Sequence, residues 1–159
     1  MYLFVLTALI LLWIAAEDFR SREVALYKLI LSVVPGIIYF FISKETGKSI
    51  LINFSFITLV FLVLFLYYRL IRREAFIDNK IGKADILILF VFAFWLSPVE
   101  FVFFYVLAFS ATLLLTMVLL LSEKVTRNAR IPLAGILSVL FVVYYLLHFI
   151  KPLLFGTLL

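Results

Sequence analysis

The chain has no cysteine, a single histidine, only five glycines, and little charge: Asp, Glu, Lys and Arg make up 14% of its 159 residues. Without cysteine there is no disulfide framework, no thiol nucleophile and no Cys-ligated zinc site. His148 has no Glu or second His beside it and makes a poor metal site. No metal and no cofactor are therefore expected, and any chemistry falls to carboxylates, hydroxyls and amines. A water-soluble domain carries about 25% charged residues. Here 67% of the residues are hydrophobic, which makes lipid the expected solvent and an all-α polytopic membrane protein the expected fold class.

Apolar runs separated by charge clusters divide the chain into six expected spans, at about 2–17, 27–43, 50–70, 84–98, 99–121 and 132–150, in a single domain covering 1–159. The opening run ends in Ala15-Ala16, loosely like a signal-peptidase site, but no Lys or Arg precedes it, so it reads as a retained helix. The first, second and fourth runs are short. They reach crossing length only if polar flanks continue the helix, which puts Asp18 and Asp85 in helix ends and not in free loops. Ser97-Pro98 divides the fourth run from the fifth as a tight hairpin, with Glu100 as a helix-start cap.

Of the 14 basic residues, 11 fall after the first, third and fifth runs: Arg20, Arg22 and Lys28; Arg69, Arg72, Arg73, Lys80 and Lys83; Lys124, Arg127 and Arg130. Lys44, Lys48 and Lys151 fall on the other side. The positive-inside rule makes the first set cytoplasmic, so both termini are expected on the non-cytoplasmic side of a cell (plasma or inner) membrane. The net charge of +5 is then a topological signal and not a nucleic-acid footprint.

Asp18 leaves the first span, and Asp85 enters the fourth, on that same cytoplasmic side. An ionisable residue at the lip of a membrane helix is costly and is a functional hypothesis by default. Two carboxyls at one depth can divide acid and base roles, as in aspartic peptidases. Gly82, lacking a Cβ, lets the backbone near Asp85 approach a neighbour closely. Bland readings stand beside these: Asp85 as a charge complementing a helix N-terminus, Asp18 paired with Arg22 one turn on, Asp78 as a rival carboxylate in a turn, Pro132 as a helix opener, and His148 as an interfacial residue like its neighbours Tyr144 and Tyr145.

Gly82-Lys83-Ala84-Asp85 resembles the Gly-x-Gly-Asp motif of membrane aspartic peptidases. The stretch Ala16-Glu17-Asp18-Phe19-Arg20-Ser21-Arg22-Glu23-Val24 resembles the first-aspartate motif of the type IV prepilin peptidase and archaeal preflagellin peptidase family, and Arg130-Ile131-Pro132-Leu133-Ala134-Gly135 is similar to that family's Ile-Pro-Phe-Ala-like segment. Ala84 stands where bacterial members usually have Gly, as in archaeal-type members. Ala25-Leu26 and Leu87 stand where Pro-Asn and Lys are often found. The resemblance implies Asp18 and Asp85 as the catalytic pair, supported by Gly82, Lys83, Ala84, Arg20 and Pro132. It also implies a pilin-like or archaellin-like precursor with a basic leader as partner, with Glu17, Glu23, Glu74 and Asp78 offering acidic contacts. A chain this small resembles the minimal peptidases of tight-adherence pilus systems, with no methyltransferase activity. The rival expectations are a small carrier or channel using the two aspartates for a proton or cation, and a non-catalytic assembly subunit.

Overall fold

The structure, a computed structural model, describes residues 2–43, 47–72, 82–121 and 132–155. Among them are six α-helices and no strand: α1 (Tyr2–Ser21), α2 (Leu26–Ser43), α3 (Gly47–Tyr67), α4 (Lys83–Ala93), α5 (Pro98–Leu121) and α6 (Leu133–Phe155). A π-helical turn, Tyr68–Arg72, continues α3. Helix is the form that closes every backbone hydrogen bond within one segment, which an apolar solvent demands. By length and composition α1, α2, the α3 segment and α5 are each long and apolar enough to cross a membrane. The α1 helix runs on through Asp18 to Ser21, so the polar flank does continue the helix.

The fourth helix differs from its expected bounds. It stops at Ala93, five residues short, and a turn through Phe94 to Ser97 leads into α5. The stop is encoded at Ser97-Pro98-Val99-Glu100. The Ser97 N–H and Oγ–H both donate to the Glu100 carboxylate, at 3.1 and 2.8 Å, and Phe101 N–H donates to the Ser97 carbonyl. Ser97 is thus the N-cap of α5, Pro98 its first residue and Glu100 the reciprocal acceptor, so Glu100 has the capping role expected of it.

Helices α1, α2, α4 and α6 pack around one another, α3 lies against α4 and α5, and α5 lies against α6. The buried face of α1 reads Phe4, Thr7, Leu11, Ile14, Asp18, alternating steps of three and four that trace one stripe along the helix. Asp18 is therefore the last member of the core-facing stripe, and this stripe meets α6. Phe92 of α4 stacks on Phe141 of α6 at 4.3 Å, and Phe104 of α5 meets both rings edge-on at 5.4 and 5.6 Å. At the end of the bundle remote from Asp18, Phe4 stacks on Tyr145 and Tyr39 on Trp95. Tyr145 is 9% exposed and belongs to this packed cluster. Tyr144 is half-buried against Phe104, and the side chain of His148 lies outside the described residues.

Candidate active site

The site forms where the end of α1, the start of α4 and the start of α6 meet. Gly82 precedes α4 in an extended conformation, and Asp85 is the third residue of the helix. The Asp85 carboxylate reaches back to accept the Gly82 N–H at 3.1 Å, while the Asp85 N–H donates to the Gly82 carbonyl at 3.1 Å. This satisfies an orphan donor at a helix start and fixes the carboxylate against the backbone. A Cβ on Gly82 would stand 3.1 Å from Asp85 Oδ2, so the glycine leaves room for this return contact.

Asp18 is 6% exposed. Its Oδ2 accepts the Gly135 N–H at 2.7 Å, a short charge-assisted bond between residues 117 positions apart. Pro132 stands just before α6, and the Pro132 carbonyl accepts the Ile136 N–H, starting the helix there. The first amides of α6 have no partner inside the helix, and one of them is spent on Asp18. The neighbouring Ala134 amide lies within interaction range of the Asp85 carboxylate, as does Asp18 itself. The start of α6 therefore lies beside both carboxylates, with the Gly135 amide bonded to Asp18.

This proximity depends on small residues. A Cβ on Gly135 would lie 3.1 Å from Asp18 Oδ2 and 3.3 Å from both the Ala15 carbonyl and Asp18 Cβ. The α1–α6 seam, built with Ala15, Ala134, Gly135 and Ser138, brings the two backbones close enough for a main-chain amide to reach a side-chain carboxylate.

Other expected site residues take different places. Ala84 is half-buried at the α4 start and packs against the core, and Arg20 is exposed. Lys83 begins α4, its side chain outside the described residues, and Glu74 and Asp78 lie outside them altogether. Arg22 lies one turn past Asp18, and its charge acts on the Asp18 carboxylate, as the expected pairing has it. It follows α1 with φ 58°, a left-handed conformation that an arginine adopts only at a cost, and its N–H closes the helix on the Asp18 carbonyl at 3.0 Å.

Lys28 and Glu17 also depart from expectation. Lys28 is in the first turn of α2, 4% exposed, and not in a solvated loop. Its Nζ bonds Glu17 at 3.0 Å and sits 4.0 Å from the centre of the Trp13 ring. Glu17 also accepts the Ala25 N–H, at 3.3 Å, and so ties the α1–α2 connection to the helix that carries Asp18. A carboxylate already engaged twice is a poor contact for a basic leader. Because the Lys28 side chain is 5% exposed and that of Glu17 29%, the two partners should not be equivalent. Glu17→Gln leaves a buried cation without its counter-charge and is expected to cost about 2 kcal/mol, whereas Lys28→Met leaves a carboxylate that water still reaches, at under about 1 kcal/mol. Unfolding midpoints of the two variants and of the double variant in detergent check this, and the double variant should fall near Lys28→Met.

Asp18 and Asp85 were readable as polar residues at apolar ends. The role of Gly135 was not, because a main-chain donor leaves no mark in side-chain chemistry; the small-residue run Ala134-Gly135 ahead of Ser138 was the available signal. No family model, curated protein or solved structure matches the chain.

Proposed function

We propose that the chain is a membrane-embedded aspartic endopeptidase of the prepilin and preflagellin peptidase type, which removes the basic N-terminal leader of a pilin-like or archaellin-like precursor at the cytoplasmic face of the cell membrane. The observation that carries the reading is that two carboxylates at one end of the bundle, within electrostatic range of each other, are each held by a main-chain donor, Asp18 by Gly135 and Asp85 by Gly82. One carboxylate takes a proton from the water that attacks the scissile carbonyl, and the other carboxyl donates one to the carbonyl oxygen. Collapse of the tetrahedral diol breaks the C–N bond, and the proton taken from water passes to the leaving amine. The amides of Gly82 and Gly135 hold the two carboxylates in place through these steps.

The same reading completes the topology. All six helices cross the bilayer, α4 together with the turn Phe94–Ser97, and the clustered basic residues mark the site's end as cytoplasmic and both termini as external. The test is co-expression with a type IV pilin-like precursor followed by N-terminal sequencing of the product. A new N-terminus at the junction of the basic leader and the hydrophobic helix is expected. An unprocessed precursor across archaellin-like and tight-adherence pilin substrates would overturn the assignment.

A further inference from the structure

Resting on the peptidase reading, we propose that Asn53 of α3 is a positioning residue for Asp85, acting through the opposite end of α4. The α4 helix has 11 residues and so spans about 16 Å, roughly half of a bilayer core. Its last turn and the residues after it are packed among apolar side chains, with Ala93 1% and Leu96 6% exposed, so their carbonyls need a partner from the protein. The backbone ledger there is nearly closed by the chain itself. The Phe94 and Trp95 N–H groups fold back onto the carbonyls of Val91 and Phe92, and the Ser97 N–H, which a continuing helix would return to Ala93, goes to Glu100. The Ala93 carbonyl is thus left over, and so is that of Leu96, at the edge of the turn.

Asn53 takes both. Its Nδ2 donates to the Ala93 carbonyl at 3.0 Å and to the Leu96 carbonyl at 2.9 Å, from a side chain 1% exposed. Its Oδ1 is buried with no partner. A side chain that leaves its own acceptor unmet to serve two main-chain acceptors is set by those two contacts. The rest of α3 is largely exposed; Asn53 and Ile57 are its buried residues. Asn53 is thus the polar peg that fixes where α4 ends. Because α4 is a short rigid rod, fixing that end also fixes the height at which Asp85, on its first turn, meets Asp18 and the start of α6.

The full chain, which has no cysteine of its own, allows a direct test. A single cysteine at Ala84, beside Asp85, is labelled in native membranes with a membrane-impermeant maleimide in parent, Asn53→Asp and Asn53→Ser backgrounds. Asn53→Asp keeps the shape and loses both donors, and Asn53→Ser keeps one donor. Labelling is expected to speed up about tenfold in Asn53→Asp and two- to fivefold in Asn53→Ser. In the chains without the cysteine, leader cleavage is expected to fall in the same order, in kcat and not in KM. Unchanged labelling in folded variants, or lower thermal stability with labelling and kcat unmoved, would overturn the proposal. If Asn53→Asp fails to fold, Asn53→Ser decides. If the parent chain cleaves no precursor, the peptidase reading fails while the labelling still decides whether Asn53 sets the height of α4.

Discussion

Asp18→Asn and Asp85→Asn are each expected to lower leader cleavage by about 10³-fold or more, with the chain still folded and inserted. The amide is isosteric with the carboxylate but neither takes a proton from water nor gives one to a carbonyl, and such proton transfers contribute about 10²–10⁴-fold each. The structure accounts for the expected retention of fold. Asn at 18 still offers an oxygen to the Gly135 N–H, so a charge-assisted bond becomes a neutral one at a cost of about 1 kcal/mol. Asn at 85 likewise keeps an acceptor for the Gly82 N–H. Because the two groups act on one substrate carbonyl, their losses should not add, and the double variant should resemble either single one. Precursor and product separated on gels after co-expression give the cleavage, and size-exclusion profiles with unfolding midpoints give the fold. Full cleavage in both single variants sinks the catalytic pair.

Gly135→Ala is expected to be strongly damaging for a change of a single methyl. The new Cβ stands 3.1 Å from Asp18 Oδ2, 3.3 Å from Asp18 Cβ and 3.3 Å from the Ala15 carbonyl. Two of these three neighbours are backbone or a Cβ, neither of which swings aside as the end of a flexible side chain does. Relief therefore requires α1 and α6 to separate by a few tenths of an ångström, against the most extensive helix pairing in the fold. Overpacking of this kind costs about 1–3 kcal/mol. Activity should fall further than stability, by about 10²-fold, because the shift lengthens the bond that seats Asp18 and moves the reacting geometry. Gly135→Ala measured beside Ala134→Gly separates the two effects. The latter keeps the amide and removes a methyl, so it is expected to cost about 1 kcal/mol of stability with far less loss of cleavage. Equal activity in Gly135→Ala and the parent chain would remove the α6 start from the site.

Gly82 and Gly135 make the same arrangement at opposite ends of the sequence argument. Both leave room for a carboxylate at 3.1 Å from where a Cβ would stand. Gly82 does so for a residue three positions away, and the contact is local, which is why the Gly-x-Ala-Asp spelling pointed to it. Gly135 does so for Asp18 across the bundle. Lys28 shows the converse failure: counted by charge alone it joined the solvated basic residues, yet α2 carries it under Trp13 against Glu17. Charge in a sequence reports which side of the membrane a segment faces more readily than whether a given head group is wet, since a long side chain reaches several ångströms from its Cα.

By itself the sequence determined a helical chain in lipid, because a 67% hydrophobic composition with alternating apolar runs and charge clusters admits few other forms. It also determined that Glu100 caps the start of the helix after Ser97-Pro98, and that Asp85 lies on the first turn of a helix after Gly82, since these contacts span three residues. Only the tertiary structure decided that α4 stops at Ala93, with the Ala93 carbonyl on Asn53, that Asp18 faces α6, and that the Gly135 amide meets it. The physical reason is that a helix in lipid is apolar on every side, so hydropathy does not tell the face that packs from the face that meets lipid. The choice of face is made by which helices approach closely, and close approach rests on Gly135, Ala134 and Ala15, whose smallness carries no hydropathic signal.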